Sequence, residues 1–357
     1  MHKRLIISAS TILFAATVIF GGALSVNNQS AQALSGSQFK AGNIINDTLF
    51  YNSGVMSTNQ IKSFLKAKVP VCDTNGNQAY GGTTRGAYGT SRGYPPPYTC
   101  LKDFDQVTSS KSANAYCNSY PGGHFTAARI IFEVSRSCNV SQKVLLVLLE
   151  KEQSLVTDDW PWSVQYRSAT GYGCPDTAPC DSDYYGFFNQ VYNAAKQFKR
   201  YKQQPQSYNF RADRTSNIQY HPNGSCGTRR VGIQNHATAG LYNYTPYTPN
   251  GAALNNLYGS GNSCSSYGNR NFWRIYSGWF GSTQKVIPDY PLSGDWDGNG
   301  TVTFGVKRGN QYLLDNDNDG RADENFIYGA PGNFPIVGDW DGNGTDTIAL
   351  KIGGRYF

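Results

Sequence analysis

Eight cysteines, Cys72, Cys100, Cys117, Cys138, Cys174, Cys180, Cys226 and Cys264, occupy the middle of a 357-residue chain, and none lies outside that stretch. An even set without Cys-x-x-Cys spacing points to disulfides rather than metal ligation, provided the chain is exported. Pairing between sequence neighbours is expected (72 with 100, 117 with 138, 174 with 180, 226 with 264), although eight cysteines permit many connectivities. Export is read from residues 1–33: a basic start (His2, Lys3, Arg4), an apolar run over 5–24, and Ala31-Gln32-Ala33 before Leu34. That order is a secretory signal with an A-x-A cleavage site, although the run is long enough to serve as an uncleaved anchor. No later run matches it, so the mature chain is expected to be secreted, with no stable membrane insertion.

The remainder is long enough for two domains. Residues 34–120 carry one helical pattern (57–66) and a Gly/Tyr/Pro-rich segment, 81–98, read as an ordered irregular loop. Helices are expected over 125–137, 141–157 and 184–202. From residue 294 a repeat appears: GDWDGNGT at 294–301 returns at 338–345, 44 residues later. Short β-like runs at 302–307, 311–314 and 347–351 accompany it, which indicates a propeller or array of β units, although two units cannot close a propeller. The expected division is 1–33 signal, 34–120 irregular disulfide-containing region, 121–282 α-rich domain, and 283–357 β repeats, an α+β multidomain chain.

The formal charge of +7 conceals an uneven distribution. Residues 289–357 hold 11 acids and 5 bases, the first 33 hold two bases, and 34–288 hold 24 bases and 13 acids, a balance of +11. A basic body with an acidic end suits a polyanionic partner such as a teichoic-acid-bearing wall, with calcium at the acidic end. No Lys/Arg run exceeds two residues, so scattered solubilising bases are the plainer reading, and nucleic acid is not the expected partner.

The segment richest in chemistry is 141–157 (SQKVLLVLLEKEQSLVT), with Ser141 as helix N-cap. At about 100° per residue, Leu145, Leu148, Leu149, Leu155 and Val156 fall within about 60° of Glu152, and Glu150 about 160° away. A carboxylate inside an apolar stripe loses water, which favours its protonated form and suits a general acid. The competing reading is a buried glutamate paired with an arginine such as Arg167. Glu150 is assigned no chemistry, and Asp158 and Asp159 are read first as surface acids, then as a second carboxylate. Trp160, Tyr172 and Tyr242 are the aromatic candidates for a sugar groove. His221 and His236 are read as structural.

The run VLLVLLEKEQS (144–154) followed by SATGYG (168–173) resembles the start of lysozyme-like lytic transglycosylase and glucosaminidase domains. AGLYNYTP (239–246) resembles the Ala-Tyr-Asn motif of the transglycosylases, with Tyr242 and Asn243 matching its Tyr and Asn. Gln153 intervenes where the family has Glu-Ser, and the likeness covers about residues 124–250. It implies an α-rich lysozyme-like fold in which Glu152 protonates the glycosidic oxygen of peptidoglycan and then acts as base, closing a 1,6-anhydro ring. A non-catalytic glycan-binding adhesin or hemagglutinin-like surface protein is the alternative, in which Glu152 is structural.

In the acidic end, Asp295, Asp297 and Asn299, Asp339, Asp341 and Asn343, and Asp315, Asp317, Asp319 and Asp323 supply oxygens on tight turns, as calcium requires. With Phe304-Gly305 and Gly329-Ala330-Pro331 on either side, the unit resembles FG-GAP (VCBS-like) repeats, an all-β propeller-type fold with structural calcium. Asx-turn hairpins that need no metal are the alternative.

Overall fold

The computed structural model describes residues 34–175, 178–284, 289–308, 310–329 and 333–357. The expected signal segment and its cleavage site lie outside the described residues, as do Ala330 and Pro331. The fold is mixed α and β, and four disulfides join Cys72–Cys100, Cys117–Cys138, Cys174–Cys180 and Cys226–Cys264, the neighbour pairing expected from the sequence. Such a set fits an exported protein. Among the described residues no helix is long and apolar enough to cross a membrane.

The larger of two apolar cores is built around the helix Gln142–Gln153, whose residues Val144, Leu145, Leu146, Val147, Leu148 and Leu149 are all inaccessible to solvent. A helix apolar on every side must be covered on every side, and Ala127–Cys138 and Gly268–Phe280 both pack against it. Ser141 stands at its N-cap, but its side chain makes no cap bond. The helix ends at Gln153, short of the expected 157, because Ser154 adopts a left-handed conformation (φ 55°). Glu150 then fixes the turned chain, accepting from Thr157 N–H (3.1 Å) and Thr157 Oγ1 (2.7 Å).

The helix Ala127–Cys138 stops at left-handed Asn139, next to the Cys117–Cys138 bond. Thr58–Lys68 begins in a capping box, Ser57 with Gln60, and Phe187–Gln203 lies against Ala127–Cys138 and His236–Tyr244. Phe39, Ile44, Phe50, Ile61, Leu101 and Tyr120 share this core with residues beyond 120, so the chain on both sides of that position is consolidated together. Two small antiparallel ladders, Asp105–Thr108 with Gly123–Thr126 and Arg214–Gln219 with Thr228–Ile233, lie at its periphery.

The repeats form two antiparallel sheets. Tyr290–Gly294, Thr303–Arg308, Gln311–Leu314 and Glu324–Ile327 make a four-stranded meander, and Phe334–Gly338, Thr347–Ile352 and Arg355–Tyr356 a three-stranded one. The repeated octapeptide is the turn of the first hairpin in each: Gly294 faces Thr303, and Gly338 faces Thr347. A second core of Leu292, Trp296, Tyr312, Leu314 and Leu350 includes residues of both sheets.

Candidate active site

Glu152 stands in the last turn of the buried helix and lines a cleft of about 500 Å³ together with Tyr244, Thr245, Tyr247, Tyr267 and Asn271. The sequence places it in mid-stripe; the structure leaves 24% of its side chain accessible, because the helix terminates one residue later. Its partner is Lys151 rather than Arg167. The Lys151 side chain is only 4% exposed, and its Nζ contacts Glu152 Oε1 and donates to Thr245 Oγ1 at 3.0 Å. Burying an ammonium is tolerable only with such partners. Glu152 Oε2 points at Gly171, where a Cβ would lie 3.2 Å away; the glycine's φ of +70° is also one that side-chain-bearing residues rarely adopt. The loop 168–173 thus needs its glycine to let the backbone approach the carboxylate.

Ser168 and Gly171 also line the cleft, as do Cys174 and Cys180, so the disulfide with the shortest span borders it. Through Gly171, Cys174 and Tyr244 the cleft adjoins a second hollow of about 340 Å³ that includes Tyr172, Tyr184 and Tyr201. Tyr172 lines that neighbouring hollow and not the cleft that holds Glu152.

Three other expected groove residues, Tyr242, Asn243 and Trp160, do not line the cleft, and their assignment to it is corrected. Tyr242 is fully buried, its hydroxyl donating to Ala41 O at 2.9 Å, and Asn243 is spent on the backbone of Phe210, donating to its O at 2.8 Å and accepting from its N at 3.1 Å. Tyr244 takes the place expected for Tyr242. Two residues along a helix turn the side chain by about 200°, so the tyrosine after Asn243 looks the opposite way from the one before it. Tyr244 stacks on Phe198 (4.9 Å) and donates to Thr170 O at 2.8 Å; burial, and after it the charge of Glu152, pushes its hydroxyl well above the ordinary tyrosine range.

Asp158 and Asp159 do not line the cleft either. Asp158 accepts from Trp160 N–H and Gln165 Nε2, and Asp159 pairs with Arg85 at 2.9 Å. Glu152 is then the one carboxylate among the described residues that line the cleft. Trp160 lies outside it, in a ring cluster with Tyr80, Tyr98 and Trp162. His221 Nδ1 accepts from Asn223 N–H, and His236 opens the helix His236–Tyr244, neither of them on the cleft. Lys151, Thr245, Tyr267 and Asn271 were not singled out from the sequence; proximity to Glu152 marked Lys151 alone, whereas Tyr267 and Asn271 carry no local signal.

The three acidic loops differ. In 295–301, Asp295 accepts from the N–H groups of Asn299 and Gly300, and in 339–345 Asp339 accepts from Gly342, Asn343 and Gly344, which holds its carboxyl below the usual range. Asp297 and Asp341 each take the side-chain amide of the following asparagine, Asn299 or Asn343. In these two loops the carboxylates satisfy the turn itself, as Asx turns do. In 315–323 the carboxylates likewise accept from their own turn, Asp315 from Gly320 N–H, Asp317 from Asp319 N–H and Asp323 from Asn316 N–H, but here the three each bring an oxygen within 4.8 Å of the others, and Asp315 Oδ1 is buried without a hydrogen-bond partner. That donor set fits a hard cation such as calcium. Asp319 is turned aside to accept from Arg321 N–H.

Comparison of the chain with protein-family profiles, with curated proteins and with solved structures found no match.

Proposed function

We propose that this is a secreted, cell-wall-active protein that cleaves the glycan strands of peptidoglycan, with Glu152 as acid and then base. The observation that carries the reading is that Glu152 is the one carboxylate among the described residues lining a cleft walled by tyrosines. Glycoside cleavage with two carboxylates sets them about 5–10 Å apart across the bond, whereas a single carboxylate needs a nucleophile from the substrate. Glu152 gives its proton to the leaving oxygen as the C1–O bond breaks. The sugar's own 6-hydroxyl closes on C1 and returns its proton to the carboxylate, leaving a 1,6-anhydro end. Lys151, anchored by Thr245, holds Oε1 and so fixes Oε2 toward the cleft beside Gly171. The lysozyme-like likeness of 144–154 and 168–173 supports the same assignment, since these two segments meet at Glu152.

The repeats, read as FG-GAP-like units, serve to anchor the enzyme to wall or glycan, and Asp315, Asp317 and Asp323 would hold a structural calcium there. An ion at that position would supply the charge that the unpartnered Asp315 oxygen lacks.

The test is to incubate the mature protein and Glu152→Gln with purified peptidoglycan and read soluble products by mass spectrometry. Anhydro-muropeptides from the wild type and none from the variant are expected. Reducing-end products would replace the intramolecular route by hydrolysis. Binding without release by either protein would sink the enzyme reading and leave a glycan-binding adhesin.

A further inference from the structure

A second aromatic assembly lies apart from the cleft. Tyr80, Tyr88, Tyr94, Trp160 and Trp162 form a continuous chain of rings, with centroids 4.8 Å apart for Tyr80–Tyr88, 5.1 Å for Tyr80–Trp160, 5.7 Å for Trp160–Trp162 and 4.8 Å for the stacked pair Tyr94–Trp162. None of the five belongs to either apolar core or to the residues packed against one, and none is fully buried; Tyr80 is 44% exposed. Aromatic rings of this number normally end in a core, because each buries a large apolar area. Among the described residues, the hydroxyls of Tyr80, Tyr88 and Tyr94 accept and donate no hydrogen bond, in contrast to Tyr98 beneath them, whose hydroxyl donates to Tyr94 O at 3.0 Å.

The assembly is held firmly. Cys72–Cys100 closes the segment that carries the three tyrosines, and Arg85 clamps that segment to the turn carrying the tryptophans. Its guanidinium pairs with Asp159 (2.9 Å) and Asp73 (3.5 Å) and lies 5.1 Å over the Trp160 ring. Arg85 is outweighed by its two carboxylates, and Asp158 accepts from Trp160 N–H beside them; the cation next to the rings that is in no ion pair among the described residues is exposed Arg92, 5.2 Å over Tyr88.

We propose that this ledge is a second glycan-binding site, taking the pyranose rings of a β-linked N-acetylhexosamine strand on Tyr80, Trp160, Trp162 and Tyr94. A pyranose presents an apolar C–H face and an equatorial rim of hydroxyls, which matches rings whose faces are apolar and whose tips are unspent polar groups. Arg92 supplies a donor for a carboxylate-bearing sugar in the strand. The choice of ligand rests on the glycan reading of the cleft; the site itself rests on the rings.

The test uses the full mature chain carrying Glu152→Gln, so that no cleavage occurs, titrated calorimetrically with a chitin hexamer. Tyr80→Ala and Trp162→Ala, made separately in that background, should each weaken binding about tenfold, the scale of one lost aromatic contact. Tyr80 is exposed at a hairpin, so its variant remains informative if Trp162→Ala misfolds. Unchanged affinity in Tyr80→Ala and in any folded Trp162 variant would overturn the ledge, as would no hexamer binding at all. A proline-rich peptide bound at these rings in place of the hexamer would overturn it too. Failure of the ledge leaves the cleavage assay on wild-type protein unaffected, so the two readings fail separately.

Discussion

Glu152 in the helical body and the aspartates of the repeated octapeptides are held by opposite means. Glu152 has a side-chain cation, Lys151, and a glycine-lined opening, whereas Asp295 and Asp339 are enclosed by the amides of their own turns. A carboxylate that satisfies its own backbone is committed to structure; one held through a single oxygen by a buried, anchored ammonium keeps its other oxygen for the cleft. The repeats add a second contrast within themselves. Identical octapeptides place Trp296 at 4% exposure and Trp340 at 57%. The first turn is covered by the second unit, through Leu350 and through Asp295 N–H donating to Asp346 Oδ2 at 2.9 Å, while the second turn has no such cover among the described residues.

The sharpest way to break the first contrast is at the acids themselves. Glu152→Gln should lower release of peptidoglycan fragments by about 100- to 10,000-fold, the usual contribution of a general acid. Asp295→Asn should leave release unchanged, since its carboxylate holds only a turn. Gly171→Ala should approach the Glu152 variant in activity, because its Cβ meets Oε2, while unfolding at a temperature close to wild type would show that the carboxylate and not the fold was lost.

The tryptophans test the second contrast. Trp296→Ala should cost the repeats about 3–5 kcal/mol in chemical denaturation, and Trp340→Ala no more than about 0.5 kcal/mol. Equal losses at the two sites would mean that the burial difference does not govern them.

Calcium separates the loops. At a hundredfold excess over Kd it should stabilise the repeats by about 2.7 kcal/mol, an effect abolished by Asp315→Asn and retained by Asp339→Asn. Calorimetry with the ion added after chelation would read both.

The smallest effect concerns Glu150, two residues from Glu152. Burial pushes its carboxyl above the ordinary glutamate range, against the opposing hydrogen bonds of Thr157. A raised folded-state value means that proton-linked stability is present below the unfolded value of about 4.3 and is lost as pH rises through the raised one. Wild type should therefore gain melting temperature relative to Glu150→Gln on acidification; a difference independent of pH would contradict the buried setting.

Much of this was legible in the residues themselves. Neighbour pairing of the cysteines was, because short loops close at low entropic cost. The tight turns of the repeated octapeptide were legible too, although they were read first as calcium loops and only second as Asx-turn hairpins, since the same Asp, Gly and Asn positions serve both. Glu152 was singled out by its place in the apolar stripe and by the lysozyme-like resemblance, although the expected helix ran past Ser154: the stop is a left-handed residue beside the Glu150–Thr157 bonds, which helix periodicity does not reveal. The choice between Tyr242 and Tyr244 was illegible because both lie on one short helix, and its orientation follows from contacts with Ala41 and Phe198, far apart in the chain.

The sequence by itself determined the local matters: disulfide loops, turn chemistry, the buried helix and the candidate acid. Tertiary structure alone decided which residues surround that acid. It also decided that Trp296 is covered and Trp340 is not, and that rings from residues 80–94 and 160–162 meet on one ledge. Each of these depends on segments distant in sequence, whose juxtaposition is fixed by the packing of whole elements rather than by any local preference.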